Sequence, residues 1–302
     1  MFTPGPASIH KDSIHNISNC FGRGDDEYLA TESEVIDLIK GLCHQEHVVA
    51  LQGSATLAIE IAAKNFLYGK VLVVDTGYYS RRLHYIAQHC SKIQQLDTCS
   101  VDEITPDSYD WIVCCPVETG LGYYTPINFF KDAGGNSKLF VDATGSIGLE
   151  TGHELADVMA FSGCKGLFGL TGAAFIAYSN ANPHGHNSYY MDLATHINRG
   201  VTGPYHAIQS LLPVLRKHEE LFESVKINKK AALSKFKEHL VFSTAEQPYL
   251  CTALTKKVQP NPNNDVVLYQ PRDMGDAQSV ICHLGELHLG KDAQANILGS
   301  LI

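Results

Sequence analysis

The chain has 302 residues, 44% hydrophobic and 18% charged, enough for a large core and for one α/β domain with a smaller one beside it. A net charge of -9 argues against a nucleic-acid partner, and the lack of any apolar run of about 18 residues argues against a membrane span. The opening MFTPGPASIH has neither the basic nor the apolar segment of a secretory leader, and the nine cysteines are scattered without a CxxC spacing, so the expectation is a cytoplasmic protein with reduced, mostly buried thiols and no metal site.

Residues 1–20 read as an irregular N-terminal arm, because Thr3-Pro4-Gly5-Pro6 cannot lie inside a helix. A large α/β domain is expected over 21–240. Thr31 and Glu34 have capping-box spacing, and Val35, Leu38, Ile39 and Leu42 recur at helical spacing, so 31–44 reads as a helix. His47 to Leu51 is strand-like, Gln52 to Thr56 turns, and Leu57 to Leu67 is helical. That turn sets the Ser54 and Thr56 hydroxyls beside the free N–H groups of a helix start, which suits an anion and equally suits ordinary N-capping. Lys70 to Asp75 is a strand, followed by Tyr79, able to stack on a flat ring, and by Arg82. Asp110 to Cys115 is a strand ended by Pro116, and the loop Val117-Glu118-Thr119-Gly120 follows. Between Leu139 and Tyr178 lie three apolar runs: Phe140 to Asp142, Val158 to Phe161, and Ala173 to Tyr178. Asp142 closes the first, and Lys165 stands a few residues past the second. Gly200 to His206 opens a helix reaching about Leu215, and His218 to Leu240 is a long one. Residues 241–302 read as a small α+β domain, with short strands around Tyr249 to Thr252, Val266 to Tyr269 and Ser279 to Cys282, and a turn at Pro260 to Asn264.

Taken alone, an Asp after a strand is a turn former and a Lys in a glycine-rich loop is a solvated charge. Taken together they carry a specific chemistry. A lysine amine can form a Schiff base with an aldehyde cofactor, and a carboxylate can hold a pyridinium nitrogen protonated. The pair describes a site for pyridoxal 5'-phosphate. The segments Val141-Asp142-Ala143-Thr144-Gly145-Ser146-Ile147-Gly148, Ser162-Gly163-Cys164-Lys165-Gly166 and Gly169-Leu170-Thr171-Gly172 resemble those of the class V aminotransferases, a family with the large PLP-dependent fold type I. Within it the likeness is greatest to the 2-aminoethylphosphonate:pyruvate aminotransferases, and it extends to about Ile297. The resemblance implies that Lys165 holds the cofactor and moves the proton, with Asp142 on the pyridine nitrogen and Tyr79 stacked on the ring. It gives the phosphate to Ser54, Ala55 and Thr56, assisted by Ser162 and by Thr202 reaching across from a neighbouring subunit, and sets Thr119 and Thr144 among the cofactor contacts. A homodimer with shared sites, a small primary amine and a keto acid acceptor follow from it, with Arg23 and Arg272 as candidate anion contacts.

The sequence departs from the pattern at several places. Ala55 stands where the family usually has Gly, Leu121 where it has a hydroxyl residue, and the C-terminal domain looks shortened. Val280 falls where the family's substrate-binding arginine belongs, leaving Arg272, His283 or Arg23 as substitutes. Three readings stay open: an aminotransferase, a PLP-dependent lyase or other non-transaminase of the same fold, and a non-catalytic homologue. Retention of both Asp142 and Lys165 argues against the third.

Overall fold

A computed structural model describes residues 14, 15, 17, 24–260, 267–271, 278–284, 298, 299 and 301. At its centre is a seven-stranded sheet built from β1 (His47–Gln52), β2 (Gly69–Val74), β3 (Ile93–Cys99), β4 (Trp111–Cys114), β7 (Lys138–Asp142), β8 (Val158–Ser162) and β9 (Ala173–Tyr178). The order across the sheet is β1-β9-β8-β7-β4-β2-β3. The pairs from β3 to β8 are parallel, and only β9 runs against its neighbours. The short hairpin β5 (Val117–Glu118) and β6 (Tyr123–Tyr124) stands apart from it.

The strand sequences explain why the sheet is central. Both faces of β4, β7, β8 and β9 are buried, which is why they read as unbroken apolar runs. Alternate residues serve opposite faces. Leu72, Ile112, Leu139, Met159 and Phe175 pack on one side against α1 (Asp26–Cys43), α4 (Ile127–Gly134) and α6 (Tyr205–Leu215). Val71, Trp111, Phe140, Val158 and Ile176 pack on the other against α2 (Ala55–Phe66), α3 (Tyr78–Ala87) and α5 (Leu193–Ile197). This is the mostly parallel α/β architecture expected from the sequence. Beyond it α7 (His218–Lys235) carries the antiparallel pair β10 (Cys251–Leu254) and β11 (Ser279–Cys282), with Val225, Leu221, Val280 and Cys282 in a shared apolar cluster.

Several boundaries differ from the sequence reading, each for a local reason. The first helix begins at Asp26 and not near Thr31, because the Asp25 side chain accepts from the Tyr28 N–H at 3.1 Å and caps it there. The helix expected from Leu57 starts at Ala55, with Ser54 as its cap. α7 stops at Lys235, and after a 3-10 turn the chain pairs Leu240 with Leu254. β10 starts at Cys251, since the Tyr249 N–H is already given to the Glu150 carboxylate at 2.7 Å. Of the strand expected over Val266 to Tyr269, the described part makes only isolated bridges, such as Tyr269 with Val280, and Val266 lies outside the described residues, as does most of the Pro260 to Asn264 turn. The edge strand β3 and helix α4 were not anticipated, because IQQLDTC is largely polar and INFFKDAG is short. The eight described cysteines are free and six of them are buried. No helix among the described residues is long and apolar enough to cross a membrane.

Two histidines are sealed in this framework as neutral rings. His283 Nδ1 faces the Tyr249 carbonyl at 2.7 Å and its Nε2 lies 3.0 Å from the Thr252 hydroxyl, so one nitrogen donates and the other accepts. His153 Nε2 lies 3.0 Å from Ser146 Oγ. Burial holds both rings down to about 4. A depressed base contributes its full stability above its unfolded value, about 6.5, and loses it as pH falls toward the folded value. Each site is therefore expected to lose on the order of 3 kcal/mol between pH 6.5 and pH 4. Urea titrations across that range should show the midpoint falling, and His283→Gln, which keeps a donor and an acceptor, should make the fall shallower. A midpoint insensitive to pH in the wild-type chain would contradict the neutral assignment.

Candidate active site

The parallel strands end on one edge of the sheet, and the residues singled out by the sequence gather there. A cavity of about 350 Å³ opens at that edge. Ser54, Ala55 and Thr56 reach it from the turn after β1, Tyr79 and Arg82 from α3, and Thr119 from the turn between β5 and β6. Asp142 and Thr144 come from the end of β7, and Ser162 and Lys165 from the end of β8. Gly172, just before the reversed strand β9, closes the rim, its carbonyl accepting from the Gly53 N–H at 3.0 Å.

Asp142 is 2% exposed, and its charge is met from two directions. Arg82 Nη2 donates to Oδ2 at 3.2 Å, and the Thr144 N–H donates to Oδ1 at 3.1 Å. The other arm of Arg82, Nη1, donates to Thr56 Oγ1 at 3.1 Å, so one guanidinium joins the turn after β1 to the acid at the end of β7. The same guanidinium lies 4.8 Å from the Tyr79 ring centroid, and Lys165 Nζ lies 5.7 Å from it. Tyr79 is held at its backbone. The buried Glu118 carboxylate accepts from the Tyr79 N–H at 3.1 Å and the Ser80 N–H at 3.2 Å, an anion at the positive end of α3. Tyr269, from the C-terminal part, approaches Tyr79, and burial followed by that neighbour pushes its phenol well above the usual tyrosine range.

Lys165 sits on a turn that close backbone contact shapes. The Phe168 N–H donates to the Lys165 carbonyl at 2.9 Å, and Phe168 takes φ 60°, a left-handed conformation unusual for a bulky residue. The Gly169 N–H donates to the Gly163 carbonyl at 2.8 Å. Leu211 of α6 fills the space above both glycines. His218 Nε2 donates to the Gly166 carbonyl at 2.8 Å, and burial keeps that ring's pKa low. Among the described residues Lys165 Nζ has no hydrogen-bond or ion-pair partner.

Other expectations fall elsewhere. Thr202 does not line this cavity. It borders a separate hollow with Glu32, His196 and Arg199. Val280 is buried in β11, opposite Ala253, and cannot meet a ligand. His283, one proposed substitute for the missing arginine, is turned inward and satisfied by Tyr249 and Thr252. Arg23 and Arg272 lie outside the described residues. Sequence reasoning gave Arg82 no place at the centre of the site and did not foresee Cys115, Val117 and Cys164 on its wall, or Glu118 and His218 as its supports. A buried acid beside Thr119 was the one legible hint for Glu118, since an acid in an apolar loop needs N–H donors.

No protein-family model matches the chain, and no curated protein matches it. Solved structures do. The chain is similar to an aspartate aminotransferase of subgroup IV from Thermus thermophilus (19% identity, TM-score 0.79, covering 100% of this chain and 99% of that one). It is similar to an alanine–glyoxylate aminotransferase from Nostoc sp. (16%, 0.82, 99% and 93%) and to a ureidoglycine–glyoxylate aminotransferase from Bacillus subtilis (15%, 0.81, 99% and 90%). At such identities these likenesses establish the fold alone: the described residues have the PLP-dependent fold type I architecture.

The turn bearing Lys165 offers a test of its packing. A Cβ on Gly166 would stand 2.0 Å from the Ile147 carbonyl oxygen, a backbone atom that cannot move aside. Gly166→Ala is expected to destabilise by about 2 kcal/mol or more. Gly41→Ala, in α1 with open space around it, should instead stabilise by roughly 0.5–1 kcal/mol. Guanidinium unfolding of both variants checks this. Equal midpoints would show that the turn is not packed as described.

Proposed function

We propose that this protein is a pyridoxal phosphate-dependent aminotransferase that takes the amino group of a small primary amine and passes it to a keto acid. The observation that carries the reading is the meeting of Asp142, Tyr79 and Lys165 around one cavity at the carboxyl edge of a fold type I sheet. The residues fit the cofactor on independent grounds. Thr119 Oγ1, Thr144 Oγ1 and Arg82 Nε are buried without hydrogen-bond partners among the described residues, and all three residues line this cavity. Buried polar atoms of this kind call for a polar ligand.

When bound, pyridoxal phosphate supplies an aldehyde to capture the substrate nitrogen and a ring that accepts the electron pair left as a proton departs from the adjacent carbon. The protein's own share follows from its side chains. Lys165 Nζ is the amine that would hold the aldehyde and, when free, would serve as the base that moves the proton between the two carbons. Its freedom from ion pairs leaves that amine available. Asp142 holds a proton on the ring nitrogen, and Arg82 fixes the orientation of its carboxylate. Tyr79, pinned through its backbone by Glu118, covers a ring face. Ser54, Ala55 and Thr56 at the start of α2 offer N–H and hydroxyl groups to the phosphate, with Ser162 beside them. For Thr202, which lines its own hollow, the sequence resemblance suggests a contact to the phosphate of a second copy, and with it a homodimer as the active form. We place it in the cytoplasm, with the arm at 1–20, the large domain at 21–240 and the small one at 241–302.

For the amine, an aminophosphonate such as 2-aminoethylphosphonate is the class that the sequence resemblance suggests. One observation favours a second reading, a lyase or other PLP chemistry. Val280 is buried where the family's substrate arginine belongs, and Arg82 is already engaged by Asp142.

An absorbance spectrum of the purified chain with added pyridoxal phosphate tests the proposal. The expected result is a visible band that borohydride removes while fixing the cofactor covalently on Lys165, and that Lys165→Ala abolishes. No band, or one indifferent to Lys165→Ala, would defeat it. Single-turnover reaction with candidate amines then separates the readings: an aminotransferase leaves pyridoxamine phosphate, and a lyase returns the aldehyde form.

A further inference from the structure

We propose that a second cavity, on the far side of the Lys165 turn, binds a zwitterion of the α-amino acid type with an apolar body, its carboxylate on Lys229 and its ammonium on Glu150. The cavity has a volume of about 720 Å³, larger than that at Lys165. It lies between the loop at 148–151, helix α7 and the segment at 244–249. Its size suits a small organic ligand.

The charges decide the class of ligand. Glu150 and Lys229 both line the cavity, and each is tethered to backbone. The Tyr249 N–H donates to Glu150 Oε1 at 2.7 Å, and Lys229 Nζ donates to the Gln247 carbonyl. Oε2 of Glu150 and two N–H donors of Lys229 are left over. Neither residue forms an ion pair with the other or with any described residue. Lys226 is committed to Glu223 at 2.6 Å. The two charges attract each other across the cavity and Lys229 Nζ lies 4.3 Å from the Tyr249 ring centroid, yet burial outweighs these contacts and raises the pKa of Glu150 while lowering that of Lys229, so neither charge is fully compensated. A simple anion would satisfy Lys229 and be repelled by Glu150, and a simple cation would do the reverse. A ligand carrying both charges satisfies both, and Glu219 at the rim adds to the pull on the ammonium. The walls select the rest of the molecule. Phe222 and Tyr249 meet edge to face at 5.2 Å, with Lys226 Nζ 4.5 Å from the first ring and Lys229 Nζ 4.3 Å from the second; with Tyr124 nearby, their edges and the lysine stems make a surface for an apolar or aromatic group.

The test is isothermal titration calorimetry of the full chain with L-phenylalanine as the probe, at pH 8. There Glu150, which burial pushes up to about 7, carries its charge. L-phenylalanine should bind about tenfold or more tightly than 3-phenylpropionate, which lacks the ammonium, or 2-phenylethylamine, which lacks the carboxylate. Glu150→Gln, which keeps an oxygen for the Tyr249 N–H, and Lys229→Gln should each weaken binding by about tenfold or more. Phe222→Ala, which touches neither charge, should weaken it as well, while Tyr79→Ala in the other cavity leaves it unchanged. The proposal is overturned by absence of binding heat, by equal affinity for a singly charged analogue, or by binding that Tyr79→Ala abolishes and the Glu150 and Lys229 variants spare. Thermal melts of each variant establish that lost binding is not lost folding.

Discussion

Asp142 is a carboxylate sealed at the end of a central strand, and the guanidinium of Arg82 makes that burial tolerable. An ionised carboxylate left alone in such a place is costly by several kcal/mol, and removing one partner of a buried pair destabilises by a comparable amount. The pairing also sets the geometry of the site. Arg82 belongs to α3, Thr56 to α2 and Asp142 to β7, so one side chain fixes two helix starts against the sheet edge. With the guanidinium in place, the Tyr79 ring has a flat cation to lie on. Glu118 completes the arrangement from below by capping α3 with its carboxylate. The electrostatics form a closed set: acid, guanidinium, aromatic ring, helix start and second acid.

Lys165 is placed by steric means. Its turn lies so close to the loop at 143–150 that Gly166 faces the Ile147 carbonyl and Gly148 faces both the Gly166 carbonyl and the His218 ring. No side chain fits at either position, and φ 71° at Gly148 asks for glycine on conformational grounds as well. The strained Phe168 is retained because its ring is buried beside His218, with centroids 5.4 Å apart. An amine on a flexible stem is thereby carried on a rigid base, which suits the role proposed for Lys165.

The sheet was legible because its strands are buried on both faces, and runs such as Trp111 to Cys114 and Ala173 to Tyr178 admit few other readings. The gathering of Ser54, Tyr79, Thr119, Asp142 and Lys165 was legible for a related reason. Each follows the end of a strand, and parallel strands deliver their ends to one edge. Legibility failed where a contact joins distant segments. Arg82 is an ordinary helix arginine in sequence, and only the fold brings it to an acid sixty positions away. The helix start at Asp26 was misplaced because Thr31 and Glu34 offered a complete capping box further on, and packing of Tyr28 against Tyr205 favoured the earlier cap. β3 escaped notice because an edge strand needs few apolar residues. Val280, which has no group to bind an anion, is buried in β11. His283 was a poorer suggestion, since a histidine flanked by Cys282 and Leu284 is more readily a satisfied core residue than a ligand.

The larger cavity reaches the turn that bears Lys165 through His218. His218 and Gly148 line that cavity, while the His218 ring donates to the carbonyl of Gly166, the residue after Lys165. His218 is 7% exposed, and a neutral ring held at one nitrogen by a backbone carbonyl has little room to rotate without breaking that bond. Phe168 and Phe222 flank it at 5.4 Å and 6.4 Å. Packed interiors of this density do not deform smoothly. A displacement of α7 large enough to change the shape of the second cavity must carry His218 with it, and the Gly166 carbonyl must follow or lose its donor. The turn that positions the amine is thus braced on two sides. The β7 loop meets it at Ile147 through contact that admits no side chain, and α7 meets it at His218 through a single hydrogen bond, the more yielding of the two supports.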